Sequence, residues 1–559
     1  MEILDVKKIE EYITNIDFVS NTVNFKCEHG VITGTVSISM DELENPIDFE
    51  VTILPFYPLK NTGSESLKFV NSDLIQYNHV MEDGTICIHT SHCTDIEKKI
   101  YIDFYSLKNW IKKYYIDNGL DAHYEHIIVP ENPFGEIYHK YMFSDISHDF
   151  QKGEFGTVSL TNLKPGIYNE KIVSSFILQE VKLDNGNTES FEWSDYYKNL
   201  NKVSDGIFYY ADSAPVENKR FAIRNWQDLK SYFSDDFLNF LYRFENNNLR
   251  GNKDMVIPLF LGYRISEKES HWEAAILKIG DFPILGKPLL VNGVKTGKWA
   301  TQLIEREIHW ASTRNSSYRY FYGRGTYCEK LIDSKILIIG VGAIGSMVAK
   351  SLVQCGIKKM DIVDYDVKEP ENVCRSEYQF SHGISNKTDE LKQILHGISP
   401  HIDIGILRDD KFEIALKVFS RETGAKKELE VLFNEYDLVI DCSTDDDLMY
   451  ILDCLNLNSN LINLSISNHA KEMVCAFSPN VYHFVTTQYS SLIKNDVEDL
   501  YNPTGCWSPT FKANYTDINV LVQFALKQIN KIYSDDVIKK NFVLKTSDEG
   551  DFNIKLIEY

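Results

Sequence analysis

The sequence predicts a multidomain protein: an α+β front domain, a bridging domain of α/β type, and a doubly wound α/β domain at the back. Three observations carry this prediction. A chain of 559 residues exceeds what one hydrophobic core usually supports. VITGTVSISM and IDFEVTILPF near the front alternate as half-buried antiparallel strands do. After residue 300, short apolar runs (SKILIIG, KKMDIVDYD, YDLVIDCS, NLINLSI) alternate with helical stretches such as SMVAKSLVQCG, as in a mostly parallel sheet covered on both faces.

In order along the chain, residues 1–145 open on a polar helical stretch. They pass through the strands and a Pro- and Gly-punctuated turn, FYPLKNTGSESLKF, and close on a helix at YSLKNWIKKYYIDN. Residues 146–300 contain strands at SSFILQEVKL and HWEAAILKIG and a helix around NWQDLKSYFSDDFLNFLYRFENN, with no motif that carries chemistry. They read as a folded bridge, without internal repeat or low-complexity linker. Residues 301–559 hold the parallel-sheet pattern.

Composition narrows the function. With 43% hydrophobic, 13% aromatic and 25% charged residues the chain is globular rather than disordered. A net charge of -23 argues against nucleic acid as a partner, because phosphate-backbone binding needs clustered Lys and Arg. No apolar run of membrane-spanning length occurs and the start, MEILDVKKIEEY, is too acidic for a signal peptide, so a cytoplasmic location without a membrane partner is expected. The ten cysteines include no C-x-x-C pair, which makes a structural zinc site improbable and leaves thiols for packing or chemistry.

Gly340, Gly342 and Gly345 in GVGAIG directly follow the strand KILIIG and open a helix, and Asp364 lies twenty-four residues beyond Gly340 at the end of the next strand. Glycines permit close approach of the backbone to a nucleotide, the helix N-terminus favours anions, and the acidic residue can take ribose hydroxyls. By itself this fits NAD, FAD or ATP. Asp364-Tyr365-Asp366 is followed by Asn372, Arg375, Gly383 and Lys387. This resembles the ThiF/MoeB and ubiquitin-activating superfamily, with its D-x-D, N-x-x-R and G-x-x-K, although Gly383 to Lys387 is one residue longer here. The resemblance implies ATP, with Asp364 on the ribose, Asp366 in the same nucleotide set, Asn372 and Arg375 facing the phosphates, and Lys387 on the triphosphate. It also implies Mg²⁺ held by an aspartate in Asp441-Cys442-Ser443-Thr444-Asp445-Asp446. That segment is one residue longer than the family's D-x-T-D-N, and Asp445 is the choice, with Asp441 and Asp446 as substitutes. The chemistry is consistent: adenylating a carboxylate needs cations around a pentavalent phosphorus and a held leaving group.

Two cysteines stand in reactive contexts. Cys506, in NPTGCWSPTF, sits in a turn-rich loop beyond the last core strands, and the string Gly505-Cys506-x-x-Pro509-Thr510-Phe511 resembles the catalytic loop of bacterial activating-type enzymes. Cys87 ends the segment YNHVMEDGTIC, which with the earlier Tyr57-Pro58 resembles the ubiquitin-conjugating fold. His79 stands eight residues before Cys87, where that family has an Asn that supports the oxyanion or orders the loop. Asp83 and Gly84 are read as the turn presenting Cys87. Cys93, beside His92, is the rival nucleophile without the G-x-I-C context.

Together the halves resemble the fused conjugation enzymes of bacterial antiphage CBASS operons. The resemblance implies a cytoplasmic, homodimeric ligase that adenylates the C-terminal carboxylate of a cGAS-like nucleotidyltransferase. The acyl group is then carried on Cys506 and Cys87 and joined to an amine. Arg314, Arg319 and Arg324 are candidates for an arginine reaching into a partner's ATP site. Two other readings stay open: a ThiF/MoeB-like activator of a sulfur-carrier or ubiquitin-like protein, and a nucleotide-binding adaptor with inactive cysteines.

Overall fold

The computed structural model describes residues 4–61, 64–119, 132–211, 213–218, 220–251, 253–267, 269–291, 294–407, 423–492, 513–547 and 550–559. Cys506 lies outside the described residues.

At the front, helix Val6–Thr14, capped by the Asp5 side chain, packs on a four-stranded antiparallel meander. Its strands are Val19–Glu28, Val31–Ile38, Ile47–Ile53 and Leu67–Val70. Helix Ile96–Trp110, capped by Asp95, covers the inner face and continues as a wider π turn over Ile111–Ile116. Alternation decides which face is covered: Val36, Ile38, Phe49, Val51 and Phe69 are buried beneath Phe104 and Leu107. The expected α+β layout is what the front folds into.

The central region departs from the α/β expectation. Strand Ile137–Phe143 pairs with Trp310–Asn315 on one edge and Lys171–Leu183 on the other. The circuit runs on through Glu269–Lys278, Val256–Ser266, Ser204–Tyr210 and Phe155–Asn162, closing a seven-stranded barrel. Only three of these pairings are parallel, those of Ile137–Phe143 with its two neighbours and of Ser204–Tyr210 with Val256–Ser266. Phe208 and Tyr210 point into the lumen with Trp272, while Ile207 and Tyr209 join the outer core under helix Asp235–Asn248. Strands buried on both faces lose the period-two signature, so their direction was not readable from the sequence. The barrel also takes strands from outside the 146–300 span, at both of its ends.

Behind it, a sheet runs in the order Asp403–Ile406, Lys359–Val363, Lys335–Ile339, Leu438–Asp441, Asn460–Ser467, all parallel. It continues antiparallel through Glu472–Phe477, Phe542–Ser547 and Asn553–Glu558. Helix Ala343–Gln354 packs with the long helix Tyr515–Asp535 on one face. The last two strands correct one expectation, since Cys506 precedes them in sequence rather than following the last core strand.

The three parts are joined by specific bonds. Ser194 and Asp195 donate backbone N–H bonds to Pro400 O and Asp403 Oδ1, both at 2.8 Å, and Tyr197 Oη donates to His396 O at 2.8 Å. At the other end of the barrel, Arg220 donates to main-chain carbonyls of the front domain and Arg224 pairs with Glu82. Among the described residues no helix is long and apolar enough to cross a membrane.

Candidate functional site

The candidate nucleotide crevice lies at the carboxyl ends of the three strands Lys335–Ile339, Lys359–Val363 and Leu438–Asp441, where the strand order reverses. Gly340 has φ +76 and a Cβ there would come within 2.5 Å of Ser443 Cα, so only glycine lets this loop close against the turn after the neighbouring strand Leu438–Asp441. Gly342 caps helix Ala343–Gln354, and a Cβ on Gly345 would collide with Gly340 O. The three glycines thus bring the loop, the helix N-terminus and the Cys442–Thr444 turn together.

Asp364 is the tie between loop and second strand. One carboxylate oxygen accepts Val341 N–H at 2.8 Å and the other Asp366 N–H at 2.8 Å. Burial pushes its carboxyl up from the ordinary carboxylate range, opposed by the charge of Lys387 and by these two bonds. Lys387, almost buried, places Nζ 2.6 Å from Asp366 Oδ2, so Asp366 holds the lysine at the mouth of the crevice. Asn372 acts locally: its Oδ1 accepts Glu369 N–H at 2.9 Å within a capping box. Arg375 closes the turn Pro370–Arg375 and is half-buried. Gly383, at φ +64, ends the next turn before Lys387.

The aspartates after Leu438–Asp441 divide into two kinds. Asp441 is buried, accepting both the N–H and the hydroxyl of Ser443 (3.0 and 2.7 Å) and Asn463 Nδ2 at 2.8 Å. Asp445 is exposed and caps helix Asp446–Asp453 through one oxygen, which accepts Leu448 N–H at 3.0 Å. Its second oxygen and the neighbouring exposed Asp446 are hard anionic donors of the kind Mg²⁺ takes, two and three residues beyond the Ser443 that packs on Gly340, and among the described residues no cluster of three or more His, Cys, Asp or Glu side chains is placed to hold a metal ion.

Sequence reasoning missed Glu377, which takes Lys350 Nζ at 2.5 Å and Tyr515 Oη at 2.6 Å. This pairing fixes the segment after Arg375 against the first turn of helix Tyr515–Asp535, nine residues beyond Cys506. The string C-R-S-E-Y contained the Glu, but nothing near it marked the tyrosine so far along the chain.

The front thiol sits in a separate cleft of about 850 Å³, lined by Cys87 with Glu65, Met81, Asp83, Ile86 and His89. The turn before it is as read: Gly84 at φ +82 donates to Met81 O at 3.0 Å, and Asp83 Oδ1 accepts Thr85 N–H at 2.9 Å. Cys87 N–H donates to His79 O at 2.7 Å, so His79 meets Cys87 through its main chain. The imidazole itself packs against Tyr114 with the rings tilted by 48° and their centroids 4.7 Å apart. His89 Nε2 is 3.8 Å from Cys87 Sγ. Burial pushes the thiol up, with Arg220 pulling it back. Behind it the extended segment is held by Thr90 N–H on Glu65 Oε1 (2.9 Å) and by Lys99 Nζ on Thr90 Oγ1 (2.7 Å).

Of the arginine candidates, Arg314 belongs to the barrel strand Trp310–Asn315 and bonds Thr313 O at 2.8 Å. Arg319 is exposed, 4.0 Å from Glu269, and Arg324 is exposed.

A family model described as the ThiF family matches residues 314–506. The back of this chain carries a ThiF-family domain. Over a longer span the chain is similar to the ATP-dependent ubiquitin transferase-like protein Cap2 of Enterobacter hormaechei subsp. hoffmannii. The two are 24% identical over 429 residues, 72% of this chain and 68% of that one. With the ThiF match, this bears out the resemblance to CBASS conjugation enzymes. The chain is also similar to ubiquitin-like modifier-activating enzyme 5 of Caenorhabditis briggsae, 30% identical over 115 residues, 20% of this chain and 26% of that enzyme. A crystal structure of E. coli MccB with ATP superposes with a TM-score of 0.28 at 17% identity, covering 41% of this chain and 65% of MccB.

Proposed function

We propose that this chain is an ATP-dependent conjugation enzyme. It adenylates the C-terminal carboxylate of a protein, a cGAS-like nucleotidyltransferase, and passes the acyl group over Cys506 and Cys87 to an amine. What supports the reading is the presence in one chain of a ThiF-family match at the back and, in a separate α+β domain, a cysteine presented by a tight turn beside a cleft. The relatives bear on the first half: MccB was crystallised with ATP, and Cap2 is named for an ATP-dependent, ubiquitin transferase-like activity.

In the first step a carboxylate oxygen of the target attacks the α-phosphorus of ATP and pyrophosphate leaves. Arg375 and Lys387 would neutralise the phosphoryl charge, and Asp366, which binds Lys387 Nζ, would keep the lysine in place until the triphosphate competes for it. Asp445, with Asp446 beside it, would hold Mg²⁺, which supplies further charge neutralisation at the phosphates. The Cys506 thiolate then attacks the acyl carbon and AMP leaves. The Cys87 thiolate takes over the acyl group, and an amine attacks that thioester, expelling the thiolate and forming an amide. His79 shapes the turn that presents Cys87. A homodimer, with one of the exposed arginines entering the partner's crevice, belongs to the same proposal.

Intact-mass measurement of the chain with ATP, Mg²⁺ and a nucleotidyltransferase bearing a free C-terminus tests it. A thiol-labile mass gain equal to the target less one water is expected. Tight NAD binding with no pyrophosphate exchange would remove the adenylation reading.

A further inference from the structure

We propose that Arg220, a residue of the central barrel region, is a positioning residue for Cys87 in the front domain, clamping the turn that presents the thiol and placing a buried positive charge beside it. The proposal rests on Cys87 being the conjugating nucleophile.

Arg220 is 5% exposed, and its Nη1 donates to two front-domain carbonyls, Tyr77 O and Val80 O, the latter at 2.7 Å. The two residues between those carbonyls are Asn78 and His79. His79 has the left-handed φ of +61 and its own carbonyl accepts Cys87 N–H, while Val80 bridges to Ile86. The guanidinium therefore grips both flanks of the residue on which the Cys87 backbone hangs. The front domain supplies the opposite grip: Trp110 Nε1 donates to Asn78 O at 2.9 Å. A non-glycine left-handed residue is strained and persists only where its surroundings over-determine it. Two clamps from two domains do that here.

The charge has its own consequence. Burying a guanidinium is costly unless negative charge is near, and thiolates gain most from a neighbouring cation. Burial brings Arg220 itself down to about 10, with the Cys87 thiolate opposing that fall. The other charged or titratable groups at the cleft are His89, Glu65, Lys68, Glu82 and Asp83. Glu65 is engaged by Lys60 at 2.7 Å and by Lys99 at 3.5 Å, and Glu82 by Arg224. Two of the three cleft carboxylates thus have cationic partners of their own.

The test is the pH dependence of iodoacetamide alkylation at Cys87 in the full chain, read by peptide mass spectrometry with exposed Cys374 as internal reference. Neither ATP nor target is needed. Arg220→Gln is expected to move the Cys87 midpoint upward and slow alkylation at neutral pH by about three- to tenfold. Arg220→Lys keeps the charge with a looser grip. It should hold the midpoint while the Cys87 amide exchanges its hydrogen faster. Arg224→Gln, which cuts only the neighbouring contact, should change neither. An unmoved midpoint in Arg220→Gln, or unchanged Cys87 amide exchange in Arg220→Lys, overturns the proposal; if the Gln variant fails to fold, the Lys variant decides. Failure of the conjugation reading shows elsewhere, as product formation indifferent to Cys87→Ala.

Discussion

At the nucleotide crevice the glycines, Asp364, Asp366 and Lys387 come from one sheet and the segments that follow its strands. At Cys87 the turn is held from one side by Trp110 of its own domain and from the other by Arg220 of the barrel. The part of the crevice that these residues make is a local construction, set once a single sheet has formed. The thiol turn is a construction across a boundary, complete only when two domains have docked. Damage to one site should therefore leave the other working, and the front site should be sensitive to changes outside its own domain.

The largest effects separate the two sites. Cys87→Ala should abolish amide product and leave both pyrophosphate exchange and a thioester on Cys506. Cys506→Ala should abolish every thioester and leave exchange intact. Product forming at the wild-type rate in Cys87→Ala would make the front domain a docking module. Loss in Cys93→Ala instead would move the nucleophile along the chain. Next in size, Arg375→Ala should slow pyrophosphate exchange by about 100- to 1000-fold, the usual scale for removing one preorganised charge stabiliser. Cys87 alkylation should not change, and a parallel loss at Cys87 would break the independence of the two sites.

A smaller effect sharpens the metal assignment. Asp445→Asn keeps the helix cap, since Asn caps as well as Asp, but removes one anionic donor. Exchange should fall about tenfold at limiting Mg²⁺ and recover at higher Mg²⁺. Full activity in this variant together with loss in Asp446→Asn would transfer the role. The smallest effect is expected at His79. Asn tolerates the left-handed conformation better than most residues, so His79→Asn should preserve the turn and alter product formation by only about two- to threefold. A loss as large as that of Cys87→Ala would give the imidazole a direct part in the chemistry.

What the sequence revealed follows the same division. GVGAIG after KILIIG, with Asp364 beyond, was legible because every partner in it is close in sequence or at a strand end. The structure adds why Gly340 must be glycine: Ser443 is pressed against it. The Asp83–Gly84 turn was legible for the same local reason. The barrel was not, because strands such as Ser204–Tyr210, buried on both faces, read only as apolar runs. Arg220 was not, because it lies 133 residues beyond Cys87 in a segment without pattern, and its bonds go to main-chain carbonyls that any sequence offers. Glu377 and Tyr515, 138 residues apart, were hidden likewise.

The strands with which the chain begins and leaves the barrel, Ile137–Phe143 and Trp310–Asn315, are neighbours that run in the same direction. The chain therefore comes in through one mouth and goes out through the other, about 20 Å away at the rise of an extended strand. Inserted domains usually have their two ends together, so they can be excised and the host rejoined. This barrel cannot be removed in that way. Splicing residue 136 directly to 316 would demand that two points on opposite mouths coincide, and it would strip Arg220 from the turn it grips. The barrel is a strut whose length sets how far the front domain stands from the ThiF domain.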